Sequence, residues 1–462
     1  MTAAESIKPR LPSGAPARRV WSWLAIAGWL LLNAILLWIY SHPTLKPLVG
    51  DEFDYNRRAI ALLGGQPMPE LFIWPPGQTW FVAAIYAVFG PHVVAVQITQ
   101  IALLAGCAAM LVRLWQSLDN RCAALCAGTL FMLNPSALAY AHWLWPEVTY
   151  LACLLGALTL LLTFDSRPHW RAFFAGLLIG LALLFKSLIG GFWPFFLLLF
   201  LSRKNKRFAY AWLSAIAFCA GLLLAAAPAL WKGHVATGHA LIADSSLYNL
   251  DVGLRDSSRS DYVDEAGLPA LTAFIESAPT PQQRNAVYFE RVKAVIVERG
   301  FFNVFVDQLD SQYFRLFNAK TLLVSQLPGP RCEGYLGAYG NNSVNAPLMV
   351  LSGVMHSLTL VLCAFGLALW RRWLHPFAAF CALYLAYQLA LFLGLHVMER
   401  YFFQMQPLLC GFAGSFLAVL MRRDITQDAL SFTRWRWLVG GVLAVVLLGL
   451  AWLGPVLDGP CQ

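Results

Sequence analysis

Residues 18–55 read RRVWSWLAIAGWLLLNAILLWIYSHPTLKPLVGDEFDY, and this stretch decides how the chain is built. Arg18 and Arg19 precede an apolar run over 20–40, the length a helix needs to cross a bilayer. Basic residues flanking a span stay on the cytoplasmic side. The first helix therefore delivers Asp51, Glu52 and Asp54 to the opposite face. Carboxylates this close repel one another and resist burial. The chain has 24 acidic residues in 462, so crowding three into four positions beside a membrane points to chemistry or cation binding there.

The composition agrees with that start. The chain is 59% hydrophobic and 12% charged, where soluble domains are about a quarter charged. Apolar runs of roughly twenty residues recur. The pattern predicts an all-α polytopic membrane protein with about eleven transmembrane helices. After 20–40 the expected spans are 91–114, 122–140, 147–164, 171–186, 188–202, 209–231, 346–370, 374–396, 402–421 and 435–454. Residues 77–89 form an external helix, separated from the second span by Gly90-Pro91. With this parity Arg113, Arg121, Arg167, Arg171, the basic run 203–207, Arg371, Arg372, Arg422 and Arg423 all face the cytoplasm. The net charge of +9 resides in such joints and does not imply nucleic acid.

Four regions follow: a cytoplasmic tail 1–19; a transmembrane catalytic module 20–231 with a first external loop 41–90; a large external segment 232–345; and a C-terminal transmembrane module 346–462. The external segment is expected to pack on the membrane part. No internal repeat is visible, and no cleavable signal peptide is expected. The ten cysteines lack paired ligand spacing, and most read as small buried hydrophobes. Cys332 and Cys461, both external, are candidates for a disulfide.

Four external turns bring ionisable residues to one level. The first loop supplies Asp51, Glu52, Asp54, Tyr55, Arg57 and Arg58; the turn after the third span supplies His142, Trp145 and Glu147. Lys186 stands between spans five and six, and His396, Glu399, Arg400 and Tyr401 between spans nine and ten. Each has a plain structural reading: a solvated loop, a carboxylate at a helix start, a snorkelling lysine or an interface anchor. Their joint placement is the functional signal. Carboxylates with Lys and Arg suit a substrate that carries phosphate and a hydroxyl to be activated.

These residues also carry a resemblance. Asp51-Glu52 followed by Tyr55, the turn Trp74-Pro75-Pro76-Gly77, Glu147 at the head of a span, GLLIGLALLFKSLIGG around Lys186 and ERYFFQMQPLL at 399–409 resemble the GT-C superfamily of membrane glycosyltransferases. The likeness is to the protein O-mannosyltransferase-like group and the lipid A aminoarabinose transferases. It covers 15–230 and, more loosely, 374–410. The resemblance implies a polyprenyl-phosphate sugar donor and inverting transfer to a lipid, glycan or protein acceptor on the external face. It implies a multi-pass protein of the bacterial inner membrane, its N-terminus cytoplasmic and its active site periplasmic. Asp51 takes the place of the base, with Glu52 and Glu147 as further catalytic acids. Lys186, Arg400 and Tyr401 take the place of donor-phosphate ligands, with Asp54, Tyr55, Arg58 and His396 in support. Without a long soluble C-terminal domain, the chain is set apart from oligosaccharyltransferases.

No cofactor is required by this reading, although Asp51, Glu52, Asp54 and Glu147 offer oxygen ligands for Mg²⁺ or Mn²⁺. The competing reading is a transporter or flippase of lipid-linked sugars. That function favours ionisable residues and broken helices at mid-membrane, where these spans are mostly apolar.

Overall fold

The computed structural model describes residues 15–41, 48, 50–66, 72–162, 168–201, 208–255, 273–318, 345–421 and 429–457. Over these residues the chain is an all-α polytopic membrane protein. The first half runs through α1 (Ala15–Ser41), α2 (Asp51–Leu63), α3 (Gly77–Phe89), α4 (Val93–Trp115), α5 (Arg121–Met132), α6 (Pro135–His142), α7 (Glu147–Leu162), α8 (Pro168–Phe185) and α9 (Phe208–Thr237). The second half holds α10 (Ser246–Arg255), α11 (Pro281–Arg299), α12 (Phe301–Ser311), α13 (Asn345–Leu369), α14 (Pro376–Leu391), α15 (Gln406–Met421) and α16 (Arg434–Leu457).

Eleven spans are expected from the sequence. Among the described residues four helical segments have the length and composition to cross a membrane: Val93–Trp115, Trp212–Thr237, Val350–Leu369 and Arg434–Leu453. The pair α5 and α6 makes a fifth if counted as one span, bent by 54°. The bent pair lies where a span is expected over 122–140. Asn134 breaks the ladder there by capping α6, its side chain accepting from the Ser136 N–H at 2.9 Å, with Pro135 next. Six shorter apolar helices complete the set.

The expected span over 188–202 is a correction. Lys186 ends α8, and the chain continues through 3₁₀ turns at Ser187–Ile189 and Trp193–Leu197 into the short helix Leu198–Leu201. Gly190-Gly191 and Pro194 explain this: two residues of low helix propensity and one without an N–H cannot hold a continuous helix.

Trp115, at the end of α4, is fully buried in the main core. Its ring meets Trp370 and Phe412 at centroid distances of 5.8 and 5.0 Å, and its N–H donates to Ser415 Oγ at 2.9 Å. Beside it, Arg372 donates to the Leu118 carbonyl and Arg436 to the carbonyls of Leu369 and Trp370. Arginine-bearing joints thus gather at one end of the helices. The other end holds Asp51, Glu147, Lys186 and Arg400; Gln100, which bonds to the turn before Glu147, precedes Trp115 by fifteen residues on α4, roughly 22 Å along the axis.

The described parts of 232–345 are mostly helical and pack on the rest of the chain. The Asn249 carbonyl accepts from the His396 N–H, and Gln308 donates to the Leu395 carbonyl at 2.9 Å. Tyr248, Phe274 and Tyr288 bury Ile73 of the first loop, and the Asp244 N–H donates to the Phe72 carbonyl. Arg284 and Asp244, both buried, pair at 3.1 Å. This small core braces the Trp74-Pro75-Pro76 turn from outside. Cys332 and Cys461, and the basic residues Arg167, Arg422 and Arg423, lie outside the described residues.

Candidate active site

Gly50 takes φ 53°, a conformation that favours glycine, and turns the chain abruptly into α2. Asp51, Glu52 and Asp54 therefore occupy the first turn, where the helix dipole favours carboxylates. Three turns of polypeptide meet this helix start. Glu147 opens α7, Lys186 closes α8, and Arg400 and Tyr401 lie on the 3₁₀ segment Glu399–Gln404.

Two ion pairs result. Lys186 Nζ donates to Glu147 Oε1 at 2.6 Å, and Arg400 Nη1 donates to Asp51 Oδ2 at 2.8 Å. The Lys186–Glu147 pair is buried, with side chains 10% and 0% exposed; the Arg400–Asp51 pair is half-open at 20% and 29%. Both cations also lie over one ring: Lys186 Nζ and the Arg400 guanidinium are each 5.4 Å from the centre of Tyr401. The Arg400 guanidinium also lies 5.2 Å from the Trp145 ring, and Tyr401 stacks on Phe392 at 4.9 Å. Such contacts suit desolvated cations. Burial, then Asp51 and Glu147, hold the Tyr55 phenol well above its usual value, so it stays protonated beside the site. Glu147 Oε2 is buried and has no hydrogen-bond partner among the described residues.

An open cavity of about 220 Å³ adjoins Asp51. Its wall includes Tyr55, Arg58, Trp74, Trp80 and Lys232. The wall is set by the Pro-Pro-Gly turn. A Cβ on Gly77 would sit 2.5 Å from the Leu184 carbonyl oxygen, so only glycine lets α3 begin against the end of α8, two residues before Lys186. Gly77→Ala is expected to destabilise the protein by about 1–3 kcal/mol through overpacking. A thermal midpoint in detergent measures it.

The expected residues do not all converge. Asp51, Glu147, Lys186, Arg400 and Tyr401 form one cluster, with Tyr55 beside it. Asp54 turns along its own helix to Arg57 at 2.9 Å and Arg58 at 3.2 Å. Arg58 lines the cavity with its guanidinium 5.9 Å from the Trp74 ring. His396 is buried in the contact with α10. Glu52 is fully buried, and its Oε1 accepts from the Leu144 N–H at 3.0 Å. The four carboxylates proposed for Mg²⁺ or Mn²⁺ are thus turned to different partners, and among the described residues no group of three His, Cys, Asp or Glu could hold a metal ion. This arrangement does not fit a divalent site.

Sequence reading did not single out Gln78, Gln97 and Gln100, buried amides that hold the turn before Glu147. A signal was present: Gln97 and Gln100 share one face of an otherwise apolar helix, where polar side chains are costly unless bonded.

Residues 74–231 match the sequence model of the family described as dolichyl-phosphate-mannose-protein mannosyltransferase. No curated protein matches the chain. Among solved structures, the oligosaccharyltransferase AglB from Archaeoglobus fulgidus, in complex with an inhibitory peptide and a dolichol-phosphate, is 12% identical at a TM-score of 0.48, over 96% of this chain and 57% of that one. This chain therefore spans little more than half the archaeal protein's length. ArnT from Cupriavidus metallidurans bound to undecaprenyl phosphate is 15% identical at a TM-score of 0.39, over 86% of this chain and 77% of its own. Its apo structure is 14% identical at 0.38, with the same coverage. The family match begins at Trp74 of the Pro-Pro turn and takes in Glu147 and Lys186, and over these residues the chain is similar to that family.

Proposed function

We propose that this protein transfers a sugar, a hexose or a pentose, from a polyprenyl-phosphate donor to an acceptor hydroxyl at the external face of a bacterial inner membrane, with inversion. The acceptor is a lipid, a glycan or a protein. The observation that carries the reading is the pairing of two carboxylates with two cations over one aromatic ring. Lys186 and Arg400 supply charge for a phosphate, and Asp51, between Arg400 and the cavity, supplies a base.

In this mechanism the acceptor hydroxyl sits in the cavity beside Asp51. Its oxygen attacks the anomeric carbon from the side away from the phosphate. A carbon–oxygen bond forms to the acceptor while the bond to the phosphate oxygen breaks, and polyprenyl phosphate leaves with the electron pair. The hydroxyl proton passes to Asp51. Lys186 and Arg400 stabilise the charge on the departing phosphate, and Tyr401 keeps both cations in place. Glu147 fixes Lys186 through Oε1 and presents Oε2 to a sugar hydroxyl.

The test uses the full chain in liposomes with an undecaprenyl-phosphate sugar labelled in the sugar, plus extracted bacterial membranes as acceptor source. One equivalent of undecaprenyl phosphate released for each labelled sugar moved to another molecule is the expected outcome. Donor that crosses the bilayer intact, with no bond broken, replaces this reading with the flippase.

A further inference from the structure

The turn that carries Trp145 and Glu147 lies between α6 and α7 and contains no regular structure from Trp143 to Pro146. It is buried, so its backbone polar groups need partners from elsewhere. They come from side chains. Gln97 Nε2 donates to the His142 carbonyl at 2.8 Å. Gln100 Nε2 donates to the Trp143 carbonyl and reaches those of Tyr140 and Ala141 at 3.3 Å. Gln78 Nε2 donates to the Leu144 carbonyl at 3.1 Å and to Gln100 Oε1 at 3.2 Å. The Thr149 hydroxyl closes the set, its single proton shared between the Pro146 carbonyl at 2.9 Å and Gln78 Oε1 at 3.1 Å. The one N–H among these contacts, that of Leu144, goes to Glu52. Gln78, Gln97, Gln100 and Glu52 are each fully buried.

The side-chain chemistry matches each task. An amide offers two N–H donors and an accepting oxygen without charge, which suits a row of carbonyls inside a membrane protein. Glu52 meets the Leu144 N–H, and an ionised carboxylate accepts without donating. We infer that Glu52 and the three glutamines form a cradle that sets the Trp143–Glu147 turn, and that Glu52 is a positioning residue, acting through Leu144 on Trp145 and Glu147, rather than a catalytic acid. The cradle joins the helix that begins with Asp51 to the turn that holds Lys186 and Arg400, so both halves of the site are registered by one network.

The inference rests on the transferase reading for its activity arm only. Glu52→Gln keeps an accepting oxygen for the Leu144 N–H, whereas Glu52→Leu removes it. Displacing reacting groups by about an ångström costs on the order of 100-fold in rate. Transfer is therefore expected to fall about 10- to 100-fold in Glu52→Leu and Gln100→Leu and to be restored to within about threefold of wild type in Glu52→Gln. A Glu52→Gln variant as inactive as Glu52→Leu gives Glu52 a chemical role and overturns the proposal.

The second arm needs no reaction. In full-length protein labelled with 5-fluorotryptophan, the ¹⁹F line of Trp145 is assigned by its loss in Trp145→Phe. It is expected to move in Glu52→Leu and Gln100→Leu and to hold its place in Glu52→Gln. An unmoved line in both leucine variants overturns the cradle whether or not transfer is seen. Wild-type protein that transfers no sugar, with the line behaving as expected, sinks the transferase reading and leaves the cradle standing. If Glu52→Leu does not fold, Gln100→Leu carries both arms.

Discussion

Asp51→Asn is expected to lower sugar transfer by about 10²- to 10⁴-fold, the range lost with a general base, in a protein that folds normally. Asparagine keeps the size of the side chain and an oxygen for Arg400, so the helix start and the cavity wall survive. What it cannot do is take the acceptor proton. The Asp51–Arg400 pair is partly exposed, and pairs of this kind contribute no more than about 1 kcal/mol. The thermal midpoint should therefore barely move while the rate collapses. The resting pair also means that Arg400 must release Asp51 as donor phosphate enters, so donor affinity in the variant should hold or rise. Near wild-type transfer by Asp51→Asn removes Asp51 from the mechanism.

The second large effect falls on the buried pair. Lys186→Met leaves the Glu147 carboxylate at 0% exposure, with one oxygen already lacking a hydrogen-bond partner among the described residues. Removing one member of such a pair costs about 3–5 kcal/mol, because a buried charge is left without compensation. The variant should be much less stable and should lose donor binding. Combining Lys186→Met with Glu147→Gln takes that charge away. It should recover most of the stability and none of the transfer, because the phosphate ligand is still absent. Thermal midpoints for the two single variants and the double, with titration of undecaprenyl phosphate, read both parts. Wild-type affinity for that lipid in Lys186→Met returns Lys186 to a snorkelling role; a double variant no more stable than Lys186→Met refutes the buried-charge account.

The residues of the cluster were legible because charge is costly near a membrane. Asp51, Glu147, Lys186 and Arg400 stand out against an apolar background, and each falls in a turn or loop between hydrophobic runs. Partners were not legible. Asp51 and Glu52 are neighbours in sequence and look alike, yet one meets Arg400 beside the cavity and the other is buried against Leu144. Consecutive residues at a helix start point about 100° apart, and only the packing around α2 says which direction is open. The glutamines give a weaker signal, because uncharged amides disturb an apolar pattern little. Hydropathy predicts a span over 188–202 because it reports burial, not helicity; Gly190, Gly191 and Pro194 break the helix there.

By itself, the sequence determined that this is a helical membrane protein and which turns hold its acidic and basic residues. These follow from hydrophobic length and the cost of charge, properties of each segment alone. The tertiary structure decided that Glu147 takes Lys186, that Arg400 takes Asp51, that Tyr401 serves both cations, and that Glu52 belongs to a cradle. Those outcomes depend on which helix ends meet, and helices meet through close packing at places such as Gly77 against Leu184, where distances of a few tenths of an ångström matter and no periodicity records them.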